Sequence, residues 1–460
     1  MEHSRQRIGP ALILMTVSAV LGWFLDIDPA VADPRVSILY HEPFVMRGEA
    51  STVAQDATNG VAEILRFDAF GRYFEVELER TTRLNRETAN RDFELFRGRI
   101  TNTPGSWVRL MRRGERFSGI VQDVSDTYII EPRANLAAVL VNGGPQNDSV
   151  NIIYRLADTL VANGLLSCGT RQSDGPQNGQ TAFNKLSAEL TATNSLAATG
   201  EPPAAQVGAI ADLDFFERFG EDSADEIESL FNVVDGIFSE QVGVGIIVEE
   251  LLIISPEIEN PFSNTTVGSE LLNELGRWRR INQSHLDLTH LVTDRDLTGD
   301  DPVNFIAGLS FFGVPGTAGV CFSQSGAGMS AWFGNVTALI IAHEMGHNFG
   351  APHDGEPPEE PSMENPCEST PASGFLMSTS LNSASSNEFS QCSLREMQKV
   401  IDEASCLRTT EPNRAVLPSG GGSNGGGGGA MNWLSLAMLF AAALIRRTRP
   451  GLPGQRRIAV

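Results

Sequence analysis

Apolar and polar positions alternate with a period of two through much of residues 33–165. RYFEVELER (72–80), SWVRLMRR (106–113), FSGIVQDV (117–124) and TYIIEP (127–132) all show it, rich in aromatic and β-branched residues and separated by turns. Such alternation sets one face of an extended chain on a core and the other in water, so this region is expected to be mainly β. From Val207 the pattern changes. QVGAIADLDF (206–215) and GIIVEELLII (245–254) read as buried strands. DSADEIESLFNVVDGIFSEQV (222–242) has apolar residues recurring at three and four, the mark of an amphipathic helix. TALIIAHEMGHNFG (337–350) and SLREMQKVIDEA (393–404) also read as helices, the second with Ser393 and Glu396 at capping-box spacing. Strands mixed with helices make the second half α/β or α+β. Residues 169–205, rich in Gly, Gln, Ser, Thr, Ala and Pro, read as a linker between the halves, one that a protease could cut without disturbing either core and that is expected to contain the activation cleavage.

The two ends are apolar in another way. Arg5 and Arg7, an apolar run from Ile8 to Leu25, and Ala30-Val31-Ala32 follow the pattern of a secretory signal over residues 1–32, an uncleaved anchor being the alternative. Near the other end, residues 411–430 form a linker that includes SGGGSNGGGGG (419–429), and 431–460 form a tail. Within the tail, Met431–Ile445 is nearly all apolar, and Arg446, Arg447 and Arg449 follow at once. A helix there would be roughly 23 Å long, short of a hydrocarbon core of roughly 30 Å, and its arginines would stay cytoplasmic. This tail resembles the GlyGly-CTERM sorting signals of Gram-negative bacteria. The resemblance implies export, transit at the inner membrane and cleavage by a rhomboid-type protease; a permanent anchor is the alternative.

The chain has 460 residues, 41% hydrophobic and 20% charged, an ordinary globular composition with length for two or three folding units. A net charge of −23 argues against nonspecific nucleic-acid binding. The surplus is local: 33 Asp and Glu face 8 Lys and Arg in residues 200–410, against 20 and 18 in residues 33–199. It reads as a solvated acidic surface or as selection for cationic substrates. Five cysteines leave at least one without a partner in the chain.

The stretch that carries chemistry is HEMGHNFGAPHD, residues 343–354. His343 and His347, four apart on a helix, share a face and can share one zinc ion. Glu344 lies beside them, able to act on a water without taking a coordination site. Gly350 permits a sharp turn, and chain reversal there would let His353 supply a third nitrogen, leaving a fourth position open, as catalytic zinc sites do. His285 and His290 read as structural or exposed.

H-E-x-x-H-x-x-G-x-x-H is the metzincin signature. With the following Asp354, with Cys321 upstream and with FSQCS (389–393), the chain resembles the adamalysin/reprolysin branch, the ADAM-like zinc metalloproteases, over residues 205–408. LFRGRITNTPGSWVRL (95–110) and IIEP (129–132) resemble its propeptide domain. The resemblance implies a metzincin-type α/β (α+β) catalytic domain over 206–410, with a mixed sheet and an active-site helix, preceded by a mainly β propeptide domain over 33–168. It implies Zn2+ on His343, His347 and His353, Glu344 as the catalytic acid/base, and Met377 in a Met-turn. It also implies Cys321–Cys406 and Cys367–Cys392 as disulfides, where the sequence alone allows three pairings. Cys168 would be a cysteine switch, the fourth ligand that keeps a zymogen silent, or else an inert thiol. Some relatives hold calcium near Asp287, but Gln206 and Thr409 offer weaker ligands than the Glu and Asn usual there, so no calcium is expected. DRDLTGDD (294–301) reads as a solvated turn.

The expectation is a secreted zinc metalloendopeptidase acting on proteins or peptides. The alternatives are a catalytically silent, zinc-stabilised adhesion or binding module, and zinc hydrolysis of a non-peptide bond. The resemblance puts the specificity pocket near residues 378–391, whose shape a sequence does not give.

Overall fold

A computed structural model of the chain describes residues 36–48, 51–53, 62–81, 93–137, 139–141, 149–161, 168–170, 203–299, 304–358, 364–379 and 386–409. The expected signal peptide, the Gly-rich stretch and the tail lie outside the described residues, as does the linker from 171 to 202. Among the described residues no helix is long and apolar enough to cross a membrane.

The N-terminal unit is built of strands β1 (Val36–Ile38), β2 (Glu42–Pro43), β3 (Ser51–Val53), β4 (Ala62–Ala69), β5 (Arg72–Arg80), β6 (Phe93–Ile100), β7 (Trp107–Arg113), β8 (Arg116–Gln122), β9 (Thr127–Pro132), β10 (Asn151–Arg155) and β11 (Thr159–Val161). β2 to β10 form one antiparallel sheet in the order β2-β10-β9-β8-β7-β6-β5-β4-β3, and β1 pairs with β11 apart from it. β4 to β5, β7 to β8 and β8 to β9 are joined by short turns and so pair side by side. The β4–β5 turn, for example, puts both Phe70 (φ 52°) and Gly71 (φ 70°) in the left-handed region, which matches the twist of a tight hairpin. The alternation in β5 sends Phe74, Val76 and Leu78 inward. There Phe74 stacks on Phe67 at 4.8 Å, in a core with Phe44, Phe96, Phe117 and Tyr128.

The C-terminal unit contains β12 (Pro203–Ala211), α1 (Leu213–Phe219), α2 (Ser223–Gln241), β13 (Gly245–Ile253), α3 (Gly268–Asn282), β14 (Leu288–Thr293), β15 (Gly308–Ser310), β16 (Ala327–Ala331), α4 (Val336–Asn348), α5 (Gln391–Glu403) and β17 (Arg408–Thr409). Its sheet runs β13-β12-β14-β16-β15, with β17 beside β12. The first four strands are mutually parallel, and β15 closes the edge antiparallel to β16. The mixed sheet with helices is the fold expected. Disulfides join Cys321 to Cys406 and Cys367 to Cys392.

Four details differ from the sequence reading. β12 stops at Ala211, because Asp212 caps a helix: its Oδ1 accepts from Phe215 N at 3.0 Å, so Leu213–Phe215 are helical. α5 starts earlier than 393, capped by Ser390, whose Oγ accepts from Ser393 N at 3.0 Å. The 294–301 stretch is more than a solvated turn, since Arg295 is buried and pairs with Asp212 at 3.0 Å and Asp214 at 2.9 Å. Nor is the acidic surplus all surface. α2 has an amphipathic sequence yet is buried through most of its length, because the N-terminal sheet lies on its polar side.

That contact is close and ionic. A Cβ on Gly236 of α2 would lie 2.8 Å from both the Trp107 ring and Arg109 Cγ. Arg109 donates to Asp235 at 3.3 Å and Ser239 at 3.1 Å, Arg113 pairs with Asp222 and Asp225, and Arg116 reaches Asp222 at 2.9 Å. Asn232 donates to the carbonyls of Phe96 and Leu110, at 3.2 Å each. One apolar core runs through the contact, with Ile38, Ile120 and Tyr154 on one side and Phe231, Phe238 and Val336 on the other.

Candidate metal centre

α4 is buried along its whole length and carries His343 and His347 on adjacent turns. It ends at Gly350, whose φ of +92° is one that L side chains rarely adopt; a Cβ there would also lie 2.6 Å from Val400. The chain turns back and delivers His353. The three Nε2 atoms then converge: His347 to His343 at 3.1 Å, His347 to His353 at 3.1 Å, His343 to His353 at 3.3 Å.

These contacts are not hydrogen bonds. Each Nδ1 faces an acceptor and donates its proton there: His343 to Leu376 O at 2.6 Å, His347 to Ala351 O at 2.7 Å, His353 to Glu356 Oε2 at 2.6 Å. Burial first, then neighbouring imidazoles, lower the basicity of two rings, His343 to about 3 and His347 well below the usual value. Three Nε2 atoms therefore point at one place while each Nδ1 is turned to an outer acceptor, an arrangement suited to a cation. Tetrahedral zinc with bonds of about 2.0–2.1 Å would space its nitrogens about 3.3 Å apart, so the residues present fit that ion.

Cys168 meets the same place from the N-terminal side. Its Sγ lies 3.4 Å from His347 Nε2, and the four ligand atoms all lie within 4.8 Å of one another. Desolvation, then the Glu344 carboxylate, hold the thiol well above its usual value; a divalent cation would invert that preference. Cys168 N donates to Thr379 O at 3.1 Å, and Gly169 N to Gly308 O on edge strand β15 at 3.0 Å. Gly169 and Thr170, read from sequence as the start of the linker, are thus part of the site.

Glu344 is fully buried, and burial pushes its carboxyl up to about 7 despite hydrogen bonds that lower it. Thr170 Oγ1 donates to its Oε2 at 2.9 Å and Ser310 Oγ at 3.0 Å. Thr170 Oγ1 in turn accepts from Ser310 N at 2.7 Å. Neither hydroxyl was singled out from sequence. Thr170 could have been, as it stands two residues from Cys168; nothing marks a lone serine in a short strand.

Met377 lies fully buried beneath the helix, where a Cβ on Gly346 would meet its Sδ at 2.7 Å. The preceding carbonyl, Leu376 O, holds His343, and Met377 O accepts from Asp354 N at 2.9 Å. Asp354 also accepts from Ser390 Oγ at 2.7 Å, tying the Met377 turn to the start of α5. The other histidines stand apart: His285 is exposed beside Glu250 at 3.0 Å, and His290 is buried in β14, 2.9 Å from Ser330 Oγ. Asp287 Oδ2 accepts from Gln206 N at 2.8 Å, and Thr409 pairs with Pro203. Of the 378–391 stretch, 380–385 lie outside the described residues.

The mixed α/β fold and this histidine cluster are similar to those of a metallopeptidase catalytic domain. Residues 205–390 match the profile of Reprolysin_5, described as metallo-peptidase family M12. The chain is 26% identical over 403 residues to disintegrin and metalloproteinase domain-containing protein 10 of Rattus norvegicus, covering 74% of this chain and 52% of that protein. It is 29% identical over 185 residues to a disintegrin and metalloproteinase with thrombospondin motifs 7 of the same organism, covering 37% of this chain and 11% of that one. The chain thus spans about half, or less, of the length of the curated relatives it matches. Metalloproteinase-II from Bacteroides fragilis aligns with a TM-score of 0.43 at 11% identity, over 74% of this chain and 92% of that one.

Proposed function

We propose that the chain is an exported zinc metalloendopeptidase, made as a zymogen whose N-terminal unit blocks its own active site. The observation that carries this is the set of three imidazole Nε2 atoms, 3.1–3.3 Å apart and each with its Nδ1 turned to an outer acceptor, with a buried carboxylate beside them. His343, His347 and His353 would hold zinc, which when bound supplies a Lewis acid and makes water a nucleophile near neutral pH. Glu344 Oε1, which has no hydrogen-bond partner among the described residues, takes the proton from the attacking water and returns it to the leaving amine. Peptide substrates need that space and the β15 edge, and Cys168–Thr170 occupy both. Cys168 fills the position that water needs, and Thr170 engages the base. Cleavage in 171–202 followed by departure of the N-terminal unit would open the site.

Export is supported by the signal-like residues 1–32 and by two disulfides, which persist in oxidising compartments. The glycine-rich and apolar tail supports sorting by a rhomboid-type protease.

The test uses the full chain, cut by trypsin at Arg171 and Lys185 and freed of its N-terminal unit. It should cleave casein, and a chelator should stop it. Glu344→Ala should keep its zinc by atomic absorption and lose about 10²–10⁴-fold in kcat. Undiminished cleavage in that variant would remove Glu344 from its role.

A further inference from the structure

The two carboxylate oxygens of Glu344 are treated differently by the chain around them. Oε2 takes both hydroxyl donors, Thr170 and Ser310, while Oε1 has no hydrogen-bond partner among the described residues. The carboxylate lies flat on β15. A Cβ on Gly308 would sit 2.6 Å from Oε1 and 2.7 Å from Cγ, so the strand lacks a side chain where the carboxylate passes. Ser310 is two residues further and therefore on the same face of the strand. It is fully buried, and its backbone is fixed opposite Gly328 in the β15–β16 ladder.

The two donors differ in where they belong. Thr170 comes with the segment that activation would remove, whereas Ser310 is part of the catalytic unit's own sheet. The neighbouring histidines cannot replace it, since their Nδ1 protons are committed to Leu376, Ala351 and Glu356.

We infer that Ser310 is the positioning residue of Glu344: its hydroxyl pins Oε2 against β15 and leaves Oε1 as the oxygen that moves the proton, with Gly308 providing the room. This rests on Glu344 acting as the base. A glutamate side chain is long and flexible, and an unpinned carboxylate spends less time in the productive geometry. Thr170 donates to the same oxygen and accepts from the Ser310 N–H, so the blocking segment grips this anchor while it is in place.

The experiment is steady-state hydrolysis of a short fluorogenic peptide by the trypsin-cut chain freed of its N-terminal unit, with zinc content measured alongside. Ser310→Ala should lower kcat about tenfold, the size of one charge-assisted hydrogen bond, with KM and zinc content unchanged. Ser310→Thr and Ser310→Val form a pair of nearly equal volume that differs in the hydroxyl. Threonine should stay within about threefold of the wild type and valine should match alanine, so the role is read even if alanine folds poorly. A kcat equal to wild type in Ser310→Ala, equal kcat in the Thr and Val variants, or a loss that tracks zinc content would each overturn the assignment. A wild-type protein that holds zinc and cleaves no peptide would instead fail the peptidase reading itself.

Discussion

The N-terminal unit meets the C-terminal unit in two places built on opposite plans. Over α2 it lays a broad sheet face, with apolar side chains in the middle and arginines against Asp222, Asp225 and Asp235. None of those residues touches the histidine cluster. At the cluster it sends in three residues, Cys168–Thr170, which engage His347, Glu344 and the edge strand. On the proposed reading, the broad face holds and the narrow strap blocks. A blocking group alone would lose the cluster once the chain beside it was cut, whereas a strap docked by a large face stays at high local concentration.

The deepest way to break the comparison is to weaken the face and leave the strap alone. Arg109 and Asp235 are each about 5% exposed, so truncating the arginine removes a buried ion pair from the contact. Arg109→Ala should speed dissociation of the N-terminal unit from the cut chain by about 10²-fold, read as an off-rate on a sensor surface. Arg116→Ala, at an ion pair with 35% and 31% exposed partners, should change it by less than about fivefold. Equal effects from the two would mean that the contact is not organised around its buried pair.

The converse variants keep the face and cut the strap. In the uncleaved chain, Cys168→Ala removes the thiol that lies 3.4 Å from His347 Nε2 and should release measurable peptide hydrolysis. Thr170→Val removes one hydrogen bond to Glu344 and should raise basal hydrolysis by about fivefold, the equivalent of about 1 kcal/mol. The rates before any cleavage decide it; a larger release from Thr170→Val than from Cys168→Ala would reverse the assignment of roles.

How much of this was legible beforehand depended on range. The N-terminal strands and the 337–350 helix carry their signal in consecutive residues, but of β5, β7, β8 and β9 only β5 keeps its alternation in the folded chain; the other three are buried on both faces, β7 and β8 against α2, and α4 is buried all round. The cluster was readable because His343, His347, Gly350 and His353 sit within eleven residues. The disulfide pairing came by resemblance, not from spacing. What escaped depends on partners far along the chain. α2 looks half-solvated until the sheet more than 100 residues earlier is placed on it. α3 buries Leu271, Leu272 and Leu275, but its Arg279 is fully buried too, donating to Leu286 O at 2.7 Å, which blurs a polar-out pattern. Ser310 and Thr170 matter because of one oxygen on Glu344, and no periodicity encodes that.

The mildest way to sharpen the comparison is pH, through a group on the broad face. Glu131 is buried where β9 meets the start of α4, accepting from Tyr154 Oη and from Asn335 N, both at 2.7 Å. Burial pushes its carboxyl up to about 8, with Glu226 across the contact adding repulsion. Glu226 is itself raised to about 7 by burial, against Asn135 and Arg116 and beside Asp222 and Asp225. A carboxyl raised on docking binds its proton more tightly in the docked state than in the separated one. Docking is therefore strongest below the free value near 4.5, weakens as pH rises, and levels off once the docked group also ionises near 8. From pH 7 to pH 8 the affinity of the cut N-terminal unit for its partner should fall at most about fivefold on account of Glu131. Glu131→Gln stays neutral at every pH and should flatten that part of the profile, leaving the shallower dependence from Glu226. A titration of affinity against pH with the same slope in both proteins would show that Glu131 does not ionise on release.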